Sequence, residues 1–446
     1  MRCAILAALL PLSALAQADP SPALRELAAA VSPDELRATI TKLVGFGTRH
    51  TMSDTSSDTR GIGAARRWAK SRFEQISREC GGCLQIVTPS QTFTGPRLPR
   101  PTEVVDVVAI QRGTDEPERV LVITGHIDSR VTDVMNFTSD APGANDDASG
   151  VAAAIEAARV LSKQRHRATI VYAALSGEEQ GLYGGKVLAD YAVRQGWRVQ
   201  ANLNNDIVGN SHGGDGVNDN STVRVFSEGT KALETPEQAR RRRYNGGEVD
   251  SPSRNVARLM ASLSASQLTN LRVEMVYRTD RYGRGGDQVE FLNAGFAAVR
   301  VTEAHEDYTR QHQDLREENG VRYGDTIDGV DFAYLAQVTR LNVVSLAAMA
   351  KAPAPPGKVA IEGAVTPHTT VSWQVPQAGA VGWRVWWRST TDAQWRHSRY
   401  VSAASPEAGK VVLRNVSIDD WFFGVSALSA DGNESPVVFA GEAGAF

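Results

Sequence analysis

The chain has 446 residues, of which 42% are hydrophobic and 22% are charged, and its formal net charge at pH 7 is -3. This length exceeds the size at which one hydrophobic core usually stops growing, so we expect two domains. The nearly balanced charge gives no electrostatic reason to expect a nucleic acid or an anionic membrane as the partner.

The first 18 residues have the composition of an export signal. Arg2 precedes an apolar stretch at residues 4–16, and small residues surround Ala16 and Ala18. Such a segment predicts a signal peptide that is removed near one of these alanines, and it is too short to span a bilayer stably. We therefore expect an exported protein, periplasmic or secreted, with no membrane contact after cleavage.

Cys80 and Cys83 are the cysteines that remain after the predicted signal is removed. In an exported protein, two thiols this close together most simply form a small local disulfide. A redox motif should open a helix after a strand, whereas this pair follows the helix-like residues 61–78. A zinc site would need a second pair of cysteines, which the sequence lacks.

From about residue 104 onward, strand-like and helix-like segments alternate. The strand-like runs are residues 104–110, 120–124, 168–175 and 297–302, and the helix-like runs are residues 150–163, 253–263 and 288–292. This alternation predicts an α/β domain, a mostly parallel sheet flanked by helices, which we place at residues 19–351. Ligands of such sheets bind at the carboxyl ends of the strands.

Four consecutive arginines, residues 240–243, lie in a Gly/Asn/Asp-rich segment. They could recognise a carboxylate of a substrate. A run of like charges is more often the solvated face of a helix, and we favour that interpretation.

The C-terminal part of the chain differs in kind. A proline-rich linker at residues 352–357 leads to short aromatic and β-branched runs, separated by turn signals, at residues 358–446. This pattern predicts an all-β sandwich, and the stretch FFGVSALSADGNESPV resembles the last strands of a fibronectin type III domain. Its clustered tryptophans could make a weak surface or carbohydrate contact, although such residues more often form a core.

Metal-capable side chains follow several strand-like runs of the first domain. They are His126 with Asp128 in GHIDS, residues 145–147 in GANDDASG, Glu178 with Glu179 in SGEEQGLYGG, and Asp206 in NNDIVGN. Each cluster alone has an ordinary explanation, such as a surface histidine, a helix N-cap or a pair of surface glutamates. Imidazole and carboxylates that converge on one sheet edge are together suited to zinc.

These motifs, in this order and followed by a late histidine, resemble those of the co-catalytic zinc aminopeptidases. That family includes secreted bacterial leucine aminopeptidases and glutamate carboxypeptidase-like enzymes. The resemblance spans roughly residues 104–348, and four motifs in the correct order and spacing make it specific.

The resemblance implies two zinc ions and assigns a part to each motif. It makes His126 and Asp206 ligands of one ion, Glu179 a ligand of the other, and Asp146 the carboxylate that bridges them. Glu178 becomes the general base that takes a proton from water. Two neighbouring side chains in a turn can diverge, so one glutamate can bind metal while the other reaches the water.

Two further expectations concern neighbours of these ligands. Asp128, two residues after His126, shares one face of an extended strand with it and can fix the tautomer of the imidazole. The resemblance also implies a cis peptide bond between Asp146 and Asp147, a form that is rare outside proline.

The last ligand departs from the usual pattern of the family, because the stretch TEAHEDYTRQHQDLREEN offers two histidines. We choose His312, since Asp314 is near enough in sequence to orient it, and we keep His305 as the alternative. Tyr308 is the candidate for a hydrogen bond to the developing oxyanion, unless it is simply a packed tyrosine.

The resemblance therefore implies an exported aminopeptidase that hydrolyses N-terminal residues from peptides. A carboxypeptidase or dipeptidase with the same di-zinc chemistry is the main alternative, because the motifs contain no group that recognises an α-amine or an α-carboxylate. A glutaminyl-cyclase-like acyltransferase would use one zinc, and a catalytically dead binding module should have lost ligands. This chain keeps His126 and Asp206, which favours hydrolysis with two zinc ions.

Overall fold

The structure of the protein is a computed structural model that describes residues 21–375 and 378–446, so the predicted signal at residues 1–18 lies outside the described residues. The helices are α1 (Pro22–Ala29), α2 (Pro33–Val44), α3 (Gly61–Glu79), α4 (Ala148–Leu161), α5 (Glu178–Gly181), α6 (Tyr183–Arg194), α7 (Pro236–Asn245), α8 (Pro252–Gln267), α9 (Gln288–Asn293) and α10 (Phe332–Lys351). The strands that precede α10 are β1 (Leu84–Val87), β2 (Ser90–Gly95), β3 (Leu98–Val105), β4 (Val107–Gln111), β5 (Glu116–His126), β6 (Ala168–Leu175), β7 (Arg198–Asn205), β8 (Thr222–Phe226), β9 (Arg272–Val276), β10 (Ala298–Glu303), β11 (Arg316–Glu318) and β12 (Val321–Tyr323). The strands that follow α10 are β13 (Gly357–Glu362), β14 (Thr369–Gln374), β15 (Gly382–Ser389), β16 (His397–Ser402), β17 (Lys410–Leu413), β18 (Trp421–Leu428) and β19 (Val438–Phe439).

The largest sheet contains eight strands in the order β1-β4-β6-β5-β7-β10-β8-β9. Strands β6, β5, β7 and β10 lie in its middle and run parallel to one another. Strands β4 and β8 flank them in the antiparallel sense. The prediction of a mostly parallel sheet flanked by helices is confirmed. Because parallel strands end at the same edge, the residues that follow these four strands lie close together.

Strand β5 is buried on both of its faces. Leu121 and Ile123 pack in the core that contains α4 and α10, whereas Val120 and Val122 pack in the core that contains α6 and α9. A strand covered on both sides must be apolar at successive positions, which explains the unbroken apolar run at residues 120–123. This burial fixes the position of the residues at its carboxyl end.

Helix α10 is long and apolar enough to cross a membrane, with a mean hydropathy of 1.2. However, 83% of its apolar window is buried inside the protein. The helix packs on α1, α2 and α4. Its apolar surface is therefore the centre of the core on one face of the sheet.

Two antiparallel sheets form the C-terminal part. One has the strand order β13-β14-β17 and the other has the order β16-β15-β18-β19. Both contribute to one hydrophobic core, which includes Val371, Trp383 and Phe423. The prediction that this part is all-β is confirmed.

Other expectations for the C-terminal part stay predictions. Helix α10 ends at Lys351 and β13 begins at Gly357, but no observation tests the domain division itself or the likeness to fibronectin type III. Trp373, Trp386 and Trp395 are each at most 7% exposed and pack inside the protein. A carbohydrate contact would thus need other side chains.

A buried ion-pair cluster attaches the C-terminal sheets to the rest of the protein. Asp250 is fully buried between Arg258 of α8, at 2.7 Å, and Arg388 of β15, at 2.7 Å. Trp395 Nε1 donates a hydrogen bond to Asn255 Oδ1 at 3.0 Å across the same interface. The C-terminal sheets are therefore packed onto α8 and are not a loosely tethered module.

The expectations for the cysteines and the arginine run are confirmed. Cys80 and Cys83 form a disulfide. The arginines lie on α7, which has no buried residue, and Arg240 pairs with Glu237 within that helix at 2.8 Å. Arg241 reaches Glu442 near the C-terminus at 2.8 Å. The run is a solvated helix face that also contacts the C-terminal part.

Replacing Asp250 by alanine should lower the free energy of unfolding by about 3–5 kcal/mol, because two buried guanidinium groups lose their carboxylate. Urea unfolding followed by tryptophan fluorescence measures this change. The matched control is Glu442→Ala, which breaks an exposed ion pair and should cost about 1 kcal/mol or less. Equal midpoints for the two variants would contradict the importance given to the buried cluster.

Candidate metal centre

The carboxyl ends of the central parallel strands carry the side chains that the sequence analysis singled out. His126 is the last residue of β5, Asp206 directly follows β7, and Glu178 and Glu179 follow β6 after a two-residue turn. The loop that precedes α4 brings Asp146 to the same edge. Residues that are distant in the sequence meet here because the parallel strands end together.

Two histidines face the carboxylates from different sides. His126 Nε2 lies 3.1 Å from Asp146 Oδ1 and 4.0 Å from Asp206 Oδ1. His312 Nε2 lies 2.9 Å from Asp146 Oδ2 and 3.0 Å from Glu179 Oε1. The structure thus brings together the five residues predicted as metal ligands, and Asp146 presents one oxygen to each histidine.

This arrangement fits a divalent cation. Ligand atoms lie within 4.8 Å of one another in the group of His126, Asp146 and Asp206, and also in the group of Asp146, Glu179 and His312. Buried carboxylates this close repel one another unless positive charge lies between them. Glu179 Oε1 is buried and, apart from His312 Nε2 at 3.0 Å, has no hydrogen-bond partner among the described residues. Nitrogen of imidazole and oxygen of carboxylate are ligands that zinc takes in proteins.

The adjacent glutamates occupy different environments. Gly177 has a φ of 76°, a left-handed conformation that favours glycine, and lets the chain turn sharply before them. Glu179 is buried, and Glu178 is only partly buried. Their amides donate hydrogen bonds to the two carboxylate oxygens of Asp128, at 3.3 Å from Glu178 and 3.1 Å from Glu179. This anchoring lets one side chain join the carboxylate cluster while the other remains accessible.

Asp128 also contacts His126, as the sequence analysis expected. Its Oδ1 lies 3.6 Å from His126 Nδ1, and its backbone carbonyl lies 3.1 Å from the same nitrogen. A proton on Nδ1, donated to these oxygens, leaves Nε2 free to act as a ligand. Thr51 Oγ1 donates a hydrogen bond of 3.1 Å to Asp128 Oδ2, which holds the carboxylate in place.

Asp147 joins three segments that carry candidate ligands. Its Oδ2 accepts a hydrogen bond from the amide of His126 at 2.9 Å, and its Oδ1 accepts from the amides of Gly150 at 2.9 Å and Ile207 at 3.4 Å. It is also the N-cap of α4. The peptide bond between Asp146 and Asp147 is cis, so that prediction is confirmed.

The carboxylates make both imidazoles basic. Burial opposes a positive charge on His312, but Glu179 and Asp146 raise its pKa to about 10. Burial likewise opposes a charge on His126, but hydrogen bonds with Asp128 and Asp146 raise its pKa well above the ordinary value. Protons and metal ions therefore compete for the same nitrogens at neutral pH.

The two histidines considered for the last ligand lie in different places. His312 joins the metal-capable groups. His305 Nδ1 instead contacts Asp215 Oδ2 at 2.8 Å, in a partly exposed pair. The geometry favours His312 as the candidate ligand.

Two expectations near His312 are not matched by contacts in the structure. The amide of Asp314 donates to Thr132 Oγ1 at 3.2 Å, and no hydrogen bond or ion pair joins the described Asp314 to His312. The side chain of Tyr308 is exposed, and its carbonyl accepts a hydrogen bond from Gln313 Nε2 at 3.1 Å. The catalytic part given to Tyr308 stays a prediction.

Asp325 and Arg49 support the centre and were not found from the sequence. Asp325 accepts hydrogen bonds from the amides of Asp146 at 2.7 Å and Asn145 at 2.9 Å. Arg49 is fully buried and donates to the carbonyl of Ile127 at 2.7 Å. Neither residue stands in a motif, because each acts on a segment that is far away in the chain.

Arg300 was missed as well, although the sequence carries a signal for it. It is a single arginine between Val299 and Val301 in a predicted buried strand. The structure pairs its guanidinium with the carboxylate of Asp206. A buried charge of this kind requires a partner of opposite sign, which could have been sought among the acidic candidates.

A centre of this composition, at the carboxyl edge of an α/β sheet, defines a metal-dependent hydrolase. Residues 106–328 match the sequence profile of peptidase family M28. A probable zinc metalloprotease of Leptosphaeria maculans is 45% identical over 414 residues, which cover 92% of this chain and 94% of that protein. Another, of Pyricularia oryzae, is 42% identical over 417 residues, covering 91% and 82%. The protein is a zinc-dependent peptidase, and the chain belongs to peptidase family M28.

Solved structures share the fold. The LapA aminopeptidase of Legionella pneumophila superposes with a TM-score of 0.54 at 18% identity, covering 79% of this chain and 81% of that chain. The aminopeptidase of Aneurinibacillus sp. strain AM-1 superposes with a TM-score of 0.51 at 14% identity, covering 74% and 97%. At these identities the likeness concerns the fold alone.

Zinc binding near pH 7 should release protons, because His312, with a pKa of about 10, carries a proton that zinc must displace. The sign follows from the raised pKa: acid favours the proton over the metal. Apparent zinc affinity should therefore fall by roughly tenfold per pH unit for each displaced proton. Calorimetric titrations in buffers of different protonation enthalpy count the protons, and His305→Gln should leave the count unchanged. Zinc binding without proton release would contradict the assignment.

Proposed function

We propose that this peptidase is an exported aminopeptidase that holds two zinc ions and removes N-terminal residues from peptides. The observation that carries the two-ion proposal is the position of Asp146, whose oxygens lie 3.1 Å from His126 and 2.9 Å from His312. A carboxylate placed in this way can bridge two ions. His126 and Asp206 would hold one ion, and Glu179 and His312 would hold the other.

Glu178 is the residue that we assign to proton transfer. Zinc ions, when bound at such a centre, would supply a Lewis acid that polarises the scissile carbonyl and lowers the pKa of water. The Glu178 carboxylate takes a proton from the attacking water and delivers it to the leaving amine. Enclosure by the protein raises the pKa of Glu178 well above the ordinary range, and Asp206 and Glu179 add to the rise although His126 opposes it. A carboxyl group tuned in this direction is better suited to accept and return a proton near neutral pH.

Two other residues have proposed parts. Asp128 acts through His126, because its oxygens hold the imidazole with Nε2 toward the carboxylates. The Tyr308 hydroxyl hydrogen-bonds the carbonyl oxygen of the substrate as negative charge develops there. Its exposed side chain can meet a peptide that enters from solvent.

The specificity for N-terminal residues is supported by the fold. Both solved structures named above are of aminopeptidases, and they share the architecture of this chain. The same zinc chemistry also serves a carboxypeptidase or dipeptidase. A glutaminyl-cyclase-like acyltransferase is less favoured, because the residues of this chain offer ligands for two ions.

Export is supported by the signal-like composition of residues 1–18. The disulfide between Cys80 and Cys83 is of a kind that persists in oxidising compartments. Cell fractionation, with sequencing of the mature N-terminus, decides between an exported and a retained protein and locates it in the periplasm or the medium.

Glu178→Gln should lower kcat by about a hundred- to ten-thousand-fold, because the proton acceptor is lost. Zinc content, measured by mass spectrometry of the metal, should stay at the wild-type value, since Glu178 is not assigned as a ligand. Glu237→Gln, on the solvated helix α7, is the matched control and should leave both quantities unchanged. Normal turnover in the Glu178 variant would show that another group is the base.

A substrate panel tests the specificity. After chelation and zinc restoration, the enzyme should cleave aminoacyl-anilides and peptides with a free N-terminus and leave N-blocked peptides intact. Cleavage of N-blocked peptides from the C-terminus would identify a carboxypeptidase. Cyclisation of N-terminal glutamine would identify an acyltransferase, and activity that survives chelation would exclude the zinc mechanism.

A further inference from the structure

Arg300 is a buried cation beside one half of the candidate metal centre. It lies on β10, where every residue is buried, and its side chain is fully enclosed. The parallel register pairs it with Asn204 of β7, two residues before Asp206. Arg300 therefore lies on the strand next to β7, close enough to contact the carboxylate of Asp206.

The guanidinium holds Asp206 through two kinds of contact. Its Nη1 donates to Asp206 Oδ2 in an ion pair, and its Nη2 donates to the Asp206 carbonyl at 3.3 Å. The other carboxylate oxygen, Oδ1, is the one that lies 4.0 Å from His126 Nε2. One oxygen of Asp206 is thus committed to Arg300, and only the other faces the candidate ion position.

Asp280 is a second carboxylate near Arg300, but it is shared with other donors. Its Oδ2 lies 3.6 Å from Arg300 Nη1 and accepts a hydrogen bond of 2.6 Å from Gln288 Nε2. Arg281 lies 3.1 Å from its Oδ1. Asp280 therefore offsets only part of the charge of Arg300, and Asp206 remains the closer partner.

In the other half of the centre, no arginine or lysine among the described residues pairs as closely with Glu179, whose near cationic partner is the titratable His312 at 3.0 Å. Arg130 Nη1 comes no closer than 4.0 Å to Glu179 Oε2. The Nε and Nη2 atoms of Arg130 donate hydrogen bonds to the carbonyls of Val131 and Thr132. Glu179 Oε1 faces His312 Nε2 at 3.0 Å and has no other hydrogen-bond partner among the described residues. Once His312 gives up its proton to bind an ion, no arginine or lysine of the described residues lies closer than 4.0 Å to the Glu179 carboxylate, whereas Asp206 keeps its ion pair with Arg300.

We propose that Arg300 makes the two zinc positions unequal, so that the ion held with His126 and Asp206 binds more weakly than the ion held with Glu179 and His312. The fixed cation shares the negative charge of Asp206 and repels a nearby divalent ion, and both effects are strong away from bulk water. Arg300 is a positioning residue that acts through Asp206. This inference rests on the proposed two-ion centre.

The test is a calorimetric titration of the metal-free protein, prepared by treatment with a chelator, with Zn²⁺. The titration is repeated with Co²⁺, whose visible absorption reports the binding of each ion. The wild type should bind two ions in steps whose dissociation constants differ at least tenfold. Asp206→Asn should remove the weaker step and leave the tighter one. Arg300→Gln keeps a donor for Asp206 without the charge, and it should tighten the weaker step at least tenfold while the tighter step changes less than threefold.

Two further variants serve as an independent test and as a control. Asp280→Asn leaves Arg300 in place with less of its charge offset, so the weaker step should weaken several-fold, the opposite direction from Arg300→Gln. Asp280→Asn also provides a test of the inference if Arg300→Gln fails to fold. Arg130→Gln is the matched control near Glu179 and should leave the weaker step unchanged.

The outcomes separate this inference from the proposed function. Binding of a single ion by the wild type would refute the two-ion centre itself. Two ions of equal affinity, or a gap that neither Arg300→Gln nor Asp280→Asn changes, would overturn the inference and leave the proposed function standing. If Arg300 had only a structural role, Arg300→Gln would lower the thermal stability without changing the ratio of the two dissociation constants.

Discussion

Buried carboxylates crowd one edge of the sheet, and their mutual repulsion governs how the surrounding residues are arranged. Asp146 lies within reach of both histidines, Asp206 lies near His126, and Glu179 lies near His312. Like charges so placed repel one another unless cations offset them. The protein supplies some of that positive charge itself, through Arg300 on Asp206 and the raised pKa of His312. The remainder suits divalent metal, which agrees with a zinc-dependent peptidase.

Backbone amides do much of the positioning at this edge. Asp128 accepts the amides of both glutamates, and Asp325 accepts those of the segment that carries Asp146. Asp147 accepts hydrogen bonds from amides at the last residue of β5, within α4 and after β7. Carboxylates that accept several amide hydrogen bonds fix the path of the loops, so the ligand side chains start from rigid backbone.

Helix α8 connects the two parts of the protein. Its Ser253 accepts a hydrogen bond from the amide of Ala298 in β10, the strand that carries Arg300. The same helix holds the C-terminal sheets through Arg258 and Asn255. The C-terminal sheets therefore pack onto an element that also supports the central sheet, and the buried charge of Asp250 makes this attachment specific.

The α/β class, the all-β C-terminal part and the disulfide could be predicted from the sequence, because each follows from a local pattern of residues. The candidate residues His126, Asp146, Glu179 and Asp206 came from acidic and histidine clusters near strand ends together with the resemblance of four motifs to a peptidase family. The sequence favoured His312 over His305, and the folded chain supplies the geometry, since His312 lies beside Asp146 and Glu179 and His305 lies beside Asp215. The contacts that Arg49, Asp325 and Arg300 make around the centre exist only in the folded chain. Asp325 binds the amide of Asp146 from 179 positions away, and no spacing rule predicts a contact that exists only because long-range packing closes the fold.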